Sequence, residues 1–176
     1  TSSRGNSQDT FGGRGFILGN DNIFKNGTRV NSGVFPEVSG LERVEVLKGA
    51  NAMLYGNTAA GGIVNMITKK PRFNFGGSIG LNGGSWNSYK PTVDFYGPLS
   101  DKIAFRLNGA YEYADSFRDV VTSSKYYFNP SFLVNLGEKS QLIVAADYLK
   151  NDFTPDFGLG SITNKDLSYS LNDSVG

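Results

Sequence analysis

Apolar and polar residues alternate through much of the second half of the chain. In residues 73–83, for example, Ile79 and Leu81 alternate with Ser78 and Asn82. The same two-residue period recurs in four further segments, residues 89–97, 103–113, 126–136 and 141–150. Successive side chains of a β-strand point to opposite faces, so the pattern predicts five successive antiparallel strands, each with one apolar face.

The predicted strands are long for a soluble protein. Each has about ten residues, whereas strands of soluble antiparallel sandwiches usually have about five or six. About ten residues, at a rise of about 3.3 Å and a tilt near 40°, span about 25 Å, which is the height of the apolar band of an outer-membrane barrel. The pattern therefore favours membrane-spanning strands over the alternative, a soluble sandwich.

The connections between these strands differ in length at the two ends. Residues 97–101 and 137–139 form short turns, whereas the connection 114–125 and the segment after residue 151 are long. Bacterial outer-membrane barrels separate short periplasmic turns from long extracellular loops in this way, although the link 84–88 is short as well. Aromatic residues near the ends with long connections predict an interfacial girdle: Tyr89, Tyr111, Tyr113, Tyr126, Phe128 and Tyr148.

The first part of the chain differs in composition and in its pattern of apolar residues. Residues 1–40 are rich in Gly, Asn, Ser and Asp, and their short apolar islands predict brief strands at residues 16–18, 23–24 and 34–35. The dipeptide Asn26-Gly27 follows the second island. Because this dipeptide favours a type I′ turn, we expect a tight hairpin there.

A strand with one buried face is predicted to follow. Val44 and Val46 alternate with Arg43 and Glu45, which places the valines on the predicted buried face. The charged residues would then lie on the opposite face.

A helix, a turn and a second strand complete this region. Residues 50–55 predict a short helix, and Gly56 is placed to end it. The pair Gly61-Gly62 predicts a turn in which two backbone segments approach closely, because glycine has no Cβ. Residues 63–70 predict an apolar strand that Pro71 terminates. By itself this arrangement also fits a β-α-β fragment of a soluble domain.

Composition removes several classes of function. The 176 residues contain neither cysteine nor histidine, which removes thiolate and imidazole metal ligands and the commonest general base. The formal net charge is +1 and the charges are scattered, so nothing predicts nucleic-acid binding. Gly56 and Gly61 have the spacing of a phosphate-binding loop, but Gly62 and Ile63 stand where a lysine and a hydroxyl residue should. We therefore expect that the protein is not an enzyme. No apolar run reaches the length of a transmembrane helix.

Several strings, in family order over residues 11–160, resemble the TonB-dependent outer-membrane receptors. They are RGF at Arg14 to Phe16, LERVEVLKG at Leu41 to Gly49, LYG at Leu54 to Gly56, GGIVN at Gly61 to Asn65, TKKP at Thr68 to Pro71 and GSW at Gly84 to Trp86. The resemblance implies that residues 1–71 are the C-terminal part of a plug domain, an α+β unit with a small mixed sheet. It implies that residues 72–176 are the first antiparallel transmembrane strands of a 22-stranded β-barrel. Since so few strands cannot close a barrel, it also implies a fragment of a longer protein.

The resemblance is to the ferric-siderophore, ferrichrome-like branch and implies active import across the outer membrane of a Gram-negative bacterium. The implied partners are the energising TonB-ExbB-ExbD complex, a ferric siderophore and outer-membrane lipid. Iron would stay wrapped in siderophore oxygens, so we expect no cofactor and no protein metal ligand. The alternatives are an importer of cobalamin, haem or a glycan, a barrel-based surface adhesion or structural protein, and a soluble carbohydrate-binding sandwich.

The resemblance also implies candidate site residues. The plug turns Gly19-Asn20-Asp21 and Gly33-Val34-Phe35 match loops that face ligand, and each is alternatively a plain hairpin tip. Five loop residues would offer stacking surface and a cation to an iron chelate, or would pack the loops together: Trp86, Phe117, Arg118, Phe153 and Phe157. Glu42, Arg43 and Glu45 match plug residues that pair with charges on the barrel wall, with a solvated strand face as the alternative.

Overall fold

The computed structural model describes residues 2–3, 9–13, 16–18, 22–30, 37–48, 55–56, 62–117, 121–137 and 139–155. The strands in these ranges form three sheets. The first is antiparallel with the order β1-β2-β3, and its strands are β1 (Ser2–Ser3), β2 (Asp9–Gly13) and β3 (Phe16–Leu18). A helix long and apolar enough to cross a membrane is not found in the described ranges.

Residues 22–70, here called the N-terminal unit, carry a mixed four-stranded sheet with the order β5-β4-β7-β6. Its strands are β4 (Ile23–Lys25), β5 (Thr28–Arg29), β6 (Leu41–Leu47) and β7 (Ile63–Thr68), and a 3-10 turn (Val38–Gly40) leads into β6. Strands β4 and β7 are parallel, and the other pairs are antiparallel. The mixed sheet expected for this region is therefore confirmed.

Strand β7 forms the centre of this unit because apolar side chains cover both of its faces. Val64 and Met66 pack with Ile23 on one face, and Ile63 packs with Phe24 on the other. The strand ends at Thr68, two residues before the predicted end. The predicted hairpin is also confirmed: β4 and β5 pair antiparallel across Asn26 (φ 51°) and Gly27 (φ 81°), as a type I′ turn requires.

The burial predicted for Val44 and Val46 is wrong. They are 52% and 54% exposed, because the described residues leave the middle of β6 uncovered, whereas Leu41 and Leu47 near its two ends pack against the core clusters of the unit. The predicted close approach at Gly62 is confirmed, since a Cβ on this residue (φ 108°) would lie 2.5 Å from the Leu47 carbonyl oxygen. Of the predicted helix at 50–55, all residues but Tyr55 lie outside the described ranges, as do residues 34–35.

The largest sheet, here called the large sheet, is antiparallel with the order β12-β11-β10-β9-β8, and β13 also pairs with β11. Its strands are β8 (Gly76–Gly83), β9 (Tyr89–Ser100), β10 (Ile103–Asp115), β11 (Thr122–Gly137), β12 (Ser140–Ala145) and β13 (Tyr148–Phe153). The first four predicted strands are thus confirmed, and β9 to β11 run beyond their predicted ends. The boundary predicted after residue 71 lies in the connection between β7 and β8 and stays a prediction.

The prediction of one uninterrupted strand over residues 141–150 is wrong. Ala146 and Asp147 separate β12 from β13, although both strands pair with β11 in a continuous register. The Ala146 N–H donates to the Pro130 carbonyl oxygen at 3.0 Å, but proline has no N–H to return a bond. The Asn129 side-chain amide donates to the Ala146 carbonyl at 2.8 Å instead. The backbone hydrogen-bond ladder of β11 is therefore interrupted at Pro130, where the Asn129 side chain replaces the missing backbone donor.

The two faces of the large sheet have opposite chemistry. The outer face is apolar and exposed: Ile79 and Leu81 of β8 are 78% and 75% exposed, and large apolar residues continue on the other strands. The inner face meets the N-terminal unit and buries polar residues: Asp94, Arg106, Asn108, Asn129 and Ser131. Soluble proteins bury their apolar surface, whereas barrel strands in a membrane turn it outwards to lipid. The observed distribution is the second kind.

The predicted aromatic girdle is present at the end of the large sheet where β10 connects to β11. This connection, predicted over residues 114–125, spans only residues 116–121, because β11 begins at Thr122. Tyr89 stacks on Tyr113 with ring centroids 5.5 Å apart, and Tyr111 lies 4.7 Å from Tyr126. Tyrosines at this level place rings next to the apolar band and hydroxyls towards water, as an interfacial position requires.

Candidate functional site

Most of the predicted ligand-binding residues lie outside the described ranges. These are Gly19, Asn20, Asp21, Gly33, Val34, Phe35, Arg118 and Phe157. Trp86 and Phe153 are described, and both lie at the rim of the large sheet that carries the aromatic girdle. Their role in ligand binding stays a prediction.

Trp86 is held firmly at the tip of the link between β8 and β9. Trp86 and Asn87 both have left-handed backbones (φ 53° and 49°), which makes a tight turn between the two strands. Asp115 at the end of β10 fixes this turn twice: its N–H donates to the Trp86 carbonyl at 3.0 Å, and its carboxylate accepts from the Asn87 amide at 2.9 Å. The Trp86 ring meets Phe117 edge to face at 6.4 Å, and both rings are largely exposed. The rim therefore presents an aromatic pair in a fixed position.

Glu42 is the one predicted charge of β6 that reaches the large sheet within the described ranges. Its carboxylate lies 3.1 Å from Arg72 and 4.0 Å from Arg106 of β10. Arg106 also binds Asp94 of β9 through two hydrogen bonds of 2.9 and 2.7 Å, and Lys69 of the N-terminal unit approaches Asp94 at 2.9 Å. Glu42, Lys69, Asp94 and Arg106 form what we call the Arg106 cluster.

Arg43 and Glu45 pair with each other rather than with a described residue of the large sheet. Arg43 Nε donates to Glu45 at 2.8 Å, and the Asn65 amide donates to the same carboxylate at 3.1 Å. These two hydrogen bonds hold the pKa of Glu45 below its ordinary value. Both residues line an open cavity of about 570 Å³ on the N-terminal unit, together with Arg72. Their pairing with a barrel wall stays a prediction.

Sequence reasoning missed Glu37. Among the described residues, Glu37 makes the most buried charged contact between the N-terminal unit and the large sheet. Its side chain is 2% exposed and lies 2.7 Å from Lys90 of β9 and 4.0 Å from Lys125 of β11. Glu112 of β10 lies 2.9 Å from Lys90 and 3.8 Å from Lys125. We call these four residues the Glu37 cluster. Burial acts to raise the pKa of Glu37, but hydrogen bonds from Lys90 and Ser39 and the Lys90 charge lower it below its ordinary value.

A third contact joins the hairpin β4–β5 to the interruption between β12 and β13. Lys25 forms an ion pair with Asp147, which also accepts from the Tyr127 hydroxyl at 3.1 Å and the Asn129 amide at 2.9 Å. The buried Gly40 of the 3-10 turn packs against the same Tyr127 ring, and a side chain there would overlap that ring. The N-terminal unit thus meets the inner face of the large sheet mainly through charged and polar groups.

Charged contacts of this kind fix the relative position of the two parts. When the parts separate, the charged groups become hydrated, which lowers the free-energy cost of separation. Buried ion pairs specify an arrangement more than they stabilise it, because the desolvation penalty offsets much of the attraction. The arrangement is therefore suited to holding one body against another in a defined register while leaving separation possible.

Comparison with known proteins places these features in a family. The model described as "TonB-dependent Receptor Plug Domain" matches residues 1–63. The metal-pseudopaline receptor CntO of Pseudomonas aeruginosa is 36% identical over 118 residues, which cover 66% of this chain and 17% of CntO. The ferripyoverdine receptor of the same species is 37% identical over 136 residues, which cover 75% of this chain and 16% of that receptor.

The solved structures agree with the sequence relatives. The closed form of Fiu, the ferric-catecholate import receptor of Escherichia coli K12, superposes with a TM-score of 0.80 at 31% identity, covering 87% of this chain and 22% of Fiu. The chain thus spans only 16% to 22% of the length of these proteins. What they share with it is a plug-like unit beside antiparallel barrel strands.

Proposed function

This chain belongs to the TonB-dependent outer-membrane receptors, and on that basis we propose that it is part of an importer of ferric siderophores. In this proposal residues 1–71 are the later part of the plug and residues 72–176 are the first strands of the barrel. The observation that carries the proposal is the inverted polarity of the large sheet, whose exposed face is apolar and whose face towards the N-terminal unit is polar and charged, as in a barrel wall surrounded by lipid. The barrel's total of 22 strands remains an expectation.

The ligand class follows from the relatives. Their printed names refer to metal-pseudopaline, ferripyoverdine and a ferric catecholate, each of them a metal chelate. A chelator supplies its own donor atoms, so import of a chelate needs no metal ligand and no cofactor from the protein. For this chain we propose the same class, with Trp86 and Phe153 as rim contacts and the turns at residues 19–21 and 33–35 as plug contacts.

Energy has to come from a partner in this proposal. A ligand that binds a docked plug can only bias the plug between states, and it cannot move itself against a gradient. We propose that the TonB-ExbB-ExbD complex supplies the work by pulling on the plug. Among the described residues, such a pull must break the Glu37–Lys90 contact, the Lys69–Asp94 and Glu42–Arg106 contacts of the Arg106 cluster, and the Lys25–Asp147 pair.

Growth on defined iron sources tests this function. A strain lacking the full gene is grown under iron limitation with one ferric siderophore at a time, and the full gene is then returned. We expect growth to fail on one siderophore class and to be restored by the gene, but not in a strain without TonB. Equal growth of the deletion strain on every ferric siderophore, with lost uptake of cobalamin, haem or a glycan, would contradict the proposal.

A further inference from the structure

A row of polar side chains crosses the inner face of the large sheet. Asp94 of β9 lies opposite Asn108 of β10, and Asn108 lies opposite Asn129 of β11. All three residues are buried. Asn108 and Asn129 are therefore two buried asparagines in equivalent positions on neighbouring strands, and they can be compared directly.

The hydrogen bonding along this row is unequal. Asp94 accepts from Arg106 and Lys69, and the Asn129 amide donates to the Ala146 carbonyl and to Asp147. Asn108 is 1% exposed, yet neither its amide nitrogen nor its amide oxygen has a hydrogen-bond partner among the described residues. Almost all buried polar groups in proteins are paired, so an asparagine with both atoms unpaired calls for a reason.

The plug is the part of the molecule that closes over β10. The 3-10 turn Val38–Gly40 packs on this strand, and Gly40 lies against Tyr127 of β11. On the same face, the Lys70 carbonyl accepts from Arg106, two residues along β10 from Asn108. On both sides of Asn108 the backbone of β10 is paired with β9 and β11, so Asn108 stays on the wall when the plug moves.

From this geometry we infer that Asn108 is a release element of the plug. In this inference the docked plug closes over the Asn108 amide, to which the described residues offer no hydrogen bond, and a displaced plug returns the amide to water. A buried unpaired amide disfavours the state that buries it by about five- to a hundredfold. Because the penalty exists only in the docked state, it favours displacement and offsets part of the attraction from the ion-pair clusters. The inference rests on the proposed function in that the plug is displaced during import.

Paired substitutions in the full-length receptor test this inference. Hydrogen exchange of the plug segment 37–48 is measured in lipid nanodiscs, since exchange there reports how often the plug opens. Asn108→Leu removes an unpaired amide and is expected to slow this exchange by about five- to a hundredfold. Asn129→Leu is the matched control: the same change one strand away removes an amide whose two hydrogen bonds lie within the large sheet and are present whether or not the plug is docked, so plug exchange should not become slower.

Two further variants test whether the size or the polarity of the side chain at position 108 determines plug exchange. Asn108→Val covers the case in which leucine is too large for the site, and it should also slow exchange. Asn108→Asp buries a charge beside Asp94 and should accelerate exchange. The inference is overturned if neither Asn108→Leu nor Asn108→Val slows exchange relative to the natural protein.

Transport measurements complete the test. In Asn108→Leu the affinity for the ferric siderophore should be unchanged, and the uptake rate should fall by the factor by which plug opening falls. Lower affinity with unchanged plug exchange would overturn the inference. If the natural receptor takes up no ferric siderophore, the proposed function fails, and the exchange data still decide the role of Asn108.

Discussion

Glu37 is held between two lysines of different barrel strands, Lys90 and Lys125, where water reaches its carboxylate poorly. Removing one member of such a cluster leaves the others charged and incompletely paired, which costs more than the intact contact contributes. Exposed pairs such as Arg43–Glu45 behave differently, because solvent takes over when one partner is lost. Burial, rather than charge alone, decides which residue holds the plug.

Glu37→Gln tests this at a single carboxylate. We expect the substitution to weaken plug docking by about 3 kcal/mol, since it removes the negative charge between two lysines and keeps the side-chain shape. Hydrogen exchange of residues 37–48 and the sensitivity of cells to large antibiotics measure the effect. The control is Glu45→Gln, which should change neither readout appreciably. Equal behaviour of the two variants would argue against the Glu37 cluster as an anchor.

The pH dependence of docking has a defined sign. The folded-state pKa of Glu37 is lowered, so its contribution is complete above the ordinary glutamate pKa of about 4.3 and is lost as the pH falls through the lower folded value. We expect the difference in plug exchange between the natural protein and Glu37→Gln to be constant from pH 7 to about 5 and to vanish below the folded pKa. A difference that disappears already between pH 7 and 6 would contradict this.

The structural roles of single residues differ in how well the sequence predicts them. Gly27 and Gly62 are readable because their left-handed backbones belong to local turns. Glu37 is not, because its partners lie on β9 and β11, and nothing in the neighbouring residues shows that the plug will bring it there. The polar inward position of Lys90 was visible in the alternation, whereas Lys125 fell in the predicted connection 114–125, and the sequence indicated a partner for neither.

At the scale of elements, the large sheet shows how one residue can divide a strand. Its strands follow from the period-2 pattern, and only the fifth departs from it, at Ala146 and Asp147. Pro130 on the neighbouring strand is the cause, because it leaves the Ala146 carbonyl to the Asn129 side chain. The pattern within residues 141–150 carries no trace of this, since the proline belongs to another strand. The same opening places Asp147 within reach of Lys25.

Pro130→Val should join the divided strand. The new N–H at residue 130 would donate to the Ala146 carbonyl, so β12 and β13 would continue as one strand and the amides of residues 145–148 would exchange more slowly. Hydrogen exchange of the full-length receptor measures this. Pro91→Val in β9 is the control, because β10 and β11 separate β9 from β12 and β13, so the amides of residues 145–148 should exchange as in the natural protein. A gap that persists in the Pro130 variant would show that the proline does not cause it.

Across the whole molecule, apolar surface lies outside and charge lies between plug and wall. Separation of the two parts therefore exposes mainly groups that water solvates well, while the outer face stays unchanged in lipid. The faces of the sheet were predictable from the sequence because alternation assigns each residue to a side. The contacts across the interior were not, because they depend on how two folded parts meet.

The most direct measurement concerns the surroundings of the outer face. Nitroxide side chains are placed singly at Thr92, Val93 and Phe95 of β9 in the full-length receptor in lipid vesicles, and their collisions with oxygen and with a water-soluble nickel complex are compared. Labels at Val93 and Phe95 should meet oxygen far more than nickel, because they point into lipid, and the label at Thr92 should be shielded from oxygen. Labels at Val93 and Phe95 that meet mainly the nickel complex would place this face in water and contradict the account.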